Sequence, residues 1–154
     1  MSTIFDIGAG MSSNEKSAWI MVVVTIGIYA AYVAVVLGRA ENTPLTEVSY
    51  VAPMLWAIGV FIPLAILAHI AAMIVSPKDT DNFKKDERDH RINRLSEYSA
   101  QSFVIIGGFA AIVLAMLEAN HFWIANVIYL AFNLSSLLSS ARKIVAYRRG
   151  FTQW

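Results

Sequence analysis

The chain has no cysteine among its 154 residues. That excludes a disulfide framework, a thiolate metal site and a cysteine nucleophile. Charge is also scarce: 15% of the residues are Asp, Glu, Lys or Arg, against roughly 25% in a typical soluble domain. The shortage is local. Positions 18–38, 51–75, 99–117 and 122–141 together hold 85 residues and none of those four types, so all 23 charges fall in the other 69. This distribution excludes a soluble globular enzyme, a disordered tail and a collagen-like scaffold. No glycine-rich phosphate loop or Walker pattern is present. The net charge is only +1 and bases are interleaved with acids, so the sequence carries no nucleic-acid signal.

What is present is four long apolar runs. Each has 19–25 residues, enough at ~1.5 Å per residue to cross a bilayer core of about 30 Å. Barrel strands alternate polar and apolar, whereas Met21–Val24 and Ile62–Leu67 are continuously apolar. The fold class expected is all-α: a four-helix transmembrane bundle with spans near 18–38, 51–75, 99–117 and 122–141, forming one domain over 1–154. The first run is longer than the 7–15 residues of a signal-peptide core, so it reads as a retained helix. Pro53 and Pro63 fall in the second span and predict a kink there.

Positive residues give the orientation. The N-terminal arm, loop 76–98 and the C-terminal tail carry eleven of the twelve Lys and Arg, and loop 39–50 carries only Arg39. The positive-inside rule therefore predicts an N-in, C-in multi-pass protein of the cell (inner) membrane, with both termini cytoplasmic. Trp19, Tyr98 and Tyr147 at inner ends, and Tyr50, Phe122 and Trp123 at outer ends, fit an aromatic belt.

Small residues recur at four-residue spacing on every span, which lets helix backbones approach. Examples are Ala30, Ala34 and Gly38; Gly27 and Ala31; Ala68 and Ala72; Gly107, Ala111 and Ala115; and Ala131, Ser135 and Ser139. They predict packing within the bundle and a dimer face besides. A faint repeat aligns Gly27–Val33 with Gly107–Val113, which would make the two halves parallel copies.

The loop before the third span is dense in charge. Residues 76–97 hold six bases and six acids and cancel. Asp81 or Asn82 can cap a helix, and Glu87 with Arg91 and Asp86 with His90 stand at supporting i,i+4 positions. A charged cytoplasmic helix over 82–98, continuous with the third span, is predicted. The run Lys85-Asp86-Glu87-Arg88-Asp89 followed by Ile92, together with Tyr147-Arg148-Arg149-Gly150 near the end, resembles a family of uncharacterised small four-helix integral membrane proteins of bacteria and archaea. That resemblance implies the topology and makes the charged helix a family feature, but it implies no activity and no catalytic residues. The basic tail 142–154 reads as an interfacial anchor.

His69 is the only ionisable group well inside a charge-free run, and such a residue marks a functional site by default. The expected intramembrane polar site is His69 with Asn133 as hydrogen-bond partner, plus Asn126, Tyr29 and Tyr32. A heme would want two facing ligands, yet His90 and His121 lie far along the chain at other levels. Glu118 and His121 are too few for a closed zinc site. The serines of the fourth span have no base nearby in sequence, and the first span lacks the acid on which small four-helix multidrug exporters rely. No catalytic, cofactor or metal residues are therefore assigned. The leading expectation is a non-enzymatic accessory or regulatory subunit, or a small homo-oligomer. Its partners would be the lipid bilayer and other membrane subunits or copies of itself. Asp86, Glu87, Arg88, Asp89, Arg91 and Arg94 would form its cytoplasmic docking surface. A small transporter or channel for protons, cations or a small solute is the alternative, and a heme-binding redox subunit the third.

Overall fold

The computed structural model describes residues 13–75 and 82–149, and among these there is no strand. Helix α1 runs Ser13–Arg39, α2 Val51–Val75, α3 Asn82–Met116 and α4 His121–Arg149. All four are long and apolar enough to cross a membrane. The chain is an all-α four-helix bundle of a multi-pass membrane protein.

The helices begin and end where local chemistry allows. A short 3-10 turn, Leu45–Glu47, follows Pro44 and leads into α2. Pro53 stands in the first turn of α2, where its missing N–H would have had no helical partner. It is therefore no kink site. Pro63 stands inside the helix and does remove a backbone bond. Helix α3 ends in a Schellman closure: Ala119 N–H donates to Leu114 O at 2.9 Å and Glu118 N–H to Ala115 O at 3.1 Å. Glu118 adopts φ 53° there, a left-handed conformation that glycine takes more easily. Asn120 then caps α4, its Oδ1 accepting from Phe122 N–H at 2.9 Å.

The principal seams join α3 to α4, α1 to α2 and α1 to α4. The side-by-side order is thus α2, α1, α4, α3, with antiparallel neighbours throughout. No seam of comparable extent joins α2 to α3 among the described residues, and a groove runs along that side. Its floor is α4 and its walls are α2 and α3.

The core is thin. Tyr32, Val36, Val48, Ala57 and Phe122 form its main cluster near the loop end of α1. Large apolar side chains such as Trp56 and Phe109 stay more than two-thirds exposed. In lipid this costs nothing, because hydrocarbon is as apolar as the side chains it bathes. Among the described side chains of α2, Pro53, Met54, Ala57, Phe61, Ala65 and Ala68 are the ones turned away from the surroundings.

Small residues serve one seam and not another. A Cβ on Gly107 would overlap the Cβ of Ala131, so α3 and α4 meet backbone to backbone there. Ala111 is buried on the same face, while Ala115 is exposed. On α1, by contrast, Gly27, Ala30, Ala31, Ala34 and Gly38 are all exposed. The aligned glycines of the apparent repeat therefore face opposite ways. The α1–α4 seam also has no comparable α3–α2 counterpart, so the packing does not follow a parallel duplication.

Candidate functional site

Asn126, Tyr129, Asn133, Ser136 and Ser140 recur every three or four residues on α4 and so share one face. Thr25, Tyr29 and Tyr32 do the same on α1. The α1–α4 seam brings the two stripes together. Tyr32 Oη donates to Asn126 Oδ1 at 2.6 Å, and Asn126 Nδ2 donates to Phe122 O at 2.8 Å. One helical turn deeper, Tyr129 lies edge-on to Tyr32 with centroids 5.0 Å apart, and 5.7 Å from the Tyr29 ring. Such tilted aromatic pairs are favourable beyond simple burial. Thr25, 1% exposed, shares a hydrogen bond with Ser136 at 3.3 Å. Asn133 is buried and donates to Tyr129 O at 2.7 Å.

Three of the five expected intramembrane residues, Tyr29, Tyr32 and Asn126, thus meet directly. Asn133 continues their stripe but bonds within α4. His69 stands apart. It is exposed on α2, and its Nδ1 pairs with Ala65 O of its own helix at 3.0 Å. The expected bond between His69 and Asn133 is not made. The reason is the order of packing: α1 lies between α2 and α4, and the groove separates their remaining faces. Among the described residues no three His, Asp or Glu side chains gather as a metal site.

A second cluster lies at the end where α1 and α3 begin and α4 finishes. Arg148 Nε donates to Glu15 Oε1 at 3.2 Å and its guanidinium covers the Trp19 ring at 5.4 Å. Glu15 is 7% exposed, and as an acid in the first turn of α1 it also complements the helix dipole. Tyr147 Oη donates to Asp89 Oδ1 at 2.7 Å, and Lys143 lies 3.7 Å from Glu97. Burial, and then the bond to the Asp89 carboxylate, raises the Tyr147 phenol above its ordinary value near 10. Ile92, 1% exposed, seals the α3–α4 seam at this level.

Helix α3 is unbroken from the charged segment into the apolar one. Of the expected docking residues, Asp89 is half-buried and held by Tyr147, while Glu87, Arg88, Arg91 and Arg94 are exposed. The side chain of Asp86 lies outside the described residues. Through Arg149 the basic tail continues α4 and packs on α1 and α3. Residues 150–154 lie outside the described residues.

Sequence reasoning missed Thr25, Tyr129 and Ser136 as members of the seam, and Glu15 and Tyr147 as members of the end cluster. The signal for the first three was there: the polar residues of α4 keep a spacing of three and four from Asn126 to Ser140. No protein-family model, curated protein or solved structure matches the chain.

Proposed function

We propose that this is a non-enzymatic membrane assembly subunit that pairs with a second copy of itself through the outer face of α1. The observation carrying this reading is the placement of Gly27, Ala30, Ala31, Ala34 and Gly38, all exposed on the side of α1 turned away from Thr25, Tyr29, Tyr32 and Val36. Nothing lies within 4 Å of a Cβ built on Gly27 or Gly38. Lipid contact does not require small side chains, but close approach of another helix does. The basic end would face the cytoplasm, and the exposed charges of Glu87, Arg88 and Arg94 would be available there to a further subunit.

Transport is the less supported reading. Thr25, Tyr32, Asn126, Asn133 and Ser136 of the α1–α4 seam are engaged with one another or with backbone carbonyls, and His69 is not among them. Cross-linking in native membranes tests the assembly reading. A single Ala34→Cys replacement is expected to give a disulfide-linked pair on mild oxidation, while Ile106→Cys on the exposed face of α3 is not. A single bleaching step per spot for the fluorescently tagged protein at low density, with no Ala34→Cys pair, would overturn it.

A further inference from the structure

The groove between α2 and α3 is independent of the α1 face and carries its own chemistry. One part, about 530 Å³, is walled by α3 with Arg94 and Gln101 and floored by α4 with Ser139 and Phe132. The adjoining part, about 360 Å³, shares Phe132 and Ser136 and is walled by Phe61 of α2. Both volumes fall within the roughly 300–1,000 Å³ of ordinary ligand sites.

Polarity changes along the groove. Arg94 stands before the apolar run of α3 begins at residue 99, at headgroup level. Glu97 lines the same end, and Lys143 lies 3.7 Å from its carboxylate, so these three side chains carry one net positive charge. Gln101 and Ser139 stand just inside the apolar run. Phe132 and Phe61 line the deep end. From Ser139 to Tyr129, at the deep limit, is ten residues of α4. That is roughly 15 Å at the helical rise, half of a hydrocarbon core of about 30 Å. The groove therefore covers one leaflet, with a net positive charge where the headgroup sits and apolar side chains where the chain ends. A transmembrane helix of another copy would instead need apolar cover through both leaflets.

We infer that this groove holds one anionic phospholipid of the leaflet at the basic end, with its phosphate at Arg94 and an acyl chain passing Ser139 and Phe132 toward Phe61. Native mass spectrometry of the full chain in mild detergent tests it, with phosphatidylglycerol and phosphatidylcholine of identical chains supplied in turn. One phosphatidylglycerol is expected to be retained per chain, preferred by roughly fivefold, the worth of about one cation against an anionic lipid. Arg94→Gln, at an exposed position that leaves the fold intact, is expected to abolish the preference. Ser135→Phe, which fills the groove floor, is expected to reduce retention of both lipids. Equal retention of the two lipids by the parent chain, or an unchanged preference in Arg94→Gln, would overturn the inference. So would disulfide pairing through Phe132→Cys, which would place a second copy in the groove. None of these outcomes bears on the Ala34→Cys experiment.

Discussion

Gly107 and Gly27 occupy matching places in two similar stretches of sequence, and they do opposite work. Gly107 lies where α3 and α4 touch, and the missing Cβ is what permits the contact. Gly27 looks away from its own bundle, with open space beyond its Cα. The two hairpins differ accordingly. Helices α3 and α4 are held by close backbone approach, whereas α1 meets its neighbours through Tyr32, Val36, Thr25 and their partners. Small residues in a membrane helix thus report that something comes close, but not whether it belongs to the same chain.

The strongest way to break this contrast is to put a side chain on each glycine. Gly107→Leu forces α3 off α4 and is expected to destabilise the bundle by about 1–3 kcal/mol, the usual cost of overpacking. Denaturant titration in mixed micelles would read it. At the α1–α4 seam, Asn126→Ala removes the acceptor of Tyr32 Oη. By the same titration it should cost about 0.6–1 kcal/mol, less than the glycine change. Relief of the left-handed Glu118 gives a gain in the other direction. Glu118→Gly is expected to raise stability by a fraction of about 1 kcal/mol, seen as a higher midpoint of thermal unfolding.

The end cluster sharpens the comparison through pH. The Tyr147 phenol is raised in the fold by burial and by Asp89, so above pH about 10 the unfolded chain loses a proton that the folded chain keeps. Stability from this group is therefore complete below pH about 10 and falls as pH rises past it. Tyr147→Phe should flatten that alkaline slope. The smallest effect on the fold is expected from Gly27→Leu, within about 0.5 kcal/mol because nothing stands in its way. If it nevertheless abolishes the Ala34→Cys cross-link, the two glycines are separated by function as well as by environment.

These contrasts also mark what the amino-acid sequence made legible. The four spans were plain because charge cannot be stranded in hydrocarbon cheaply; the first three runs finish within one residue of their helices, while α3 begins and α4 finishes in charged sequence beyond the runs. Which face of a helix turns inward was not plain. In water an apolar stripe would tell, but here Val23 and Val36 are equally apolar, and one is exposed while the other is buried. Polar spacing is the better guide: on α4 it marks the stripe from Asn126 to Ser140, and Asn126 of that stripe bonds Tyr32. The expected bond from His69 to Asn133 rested on rarity instead, and rarity in a span says that a group is unusual, not which partner it has. That failure turned on the neighbour order of the helices, which depends on packing across the whole bundle.

Helix α4 supplies the partner for nearly every polar tie: Ser136 for Thr25, Asn126 for Tyr32, Lys143 for Glu97, Tyr147 for Asp89 and Arg148 for Glu15. It is also the last of the four helices to leave the ribosome. Thr25 must wait 111 residues for Ser136, on the order of 5–20 s at about 5–20 residues per second. During that interval α1 and α2 can pair as a hairpin, but α3 has no neighbour in this chain to close on. Assembly of the bundle therefore waits for α4, and a nascent chain stalled before α4 is the form most exposed to membrane quality control.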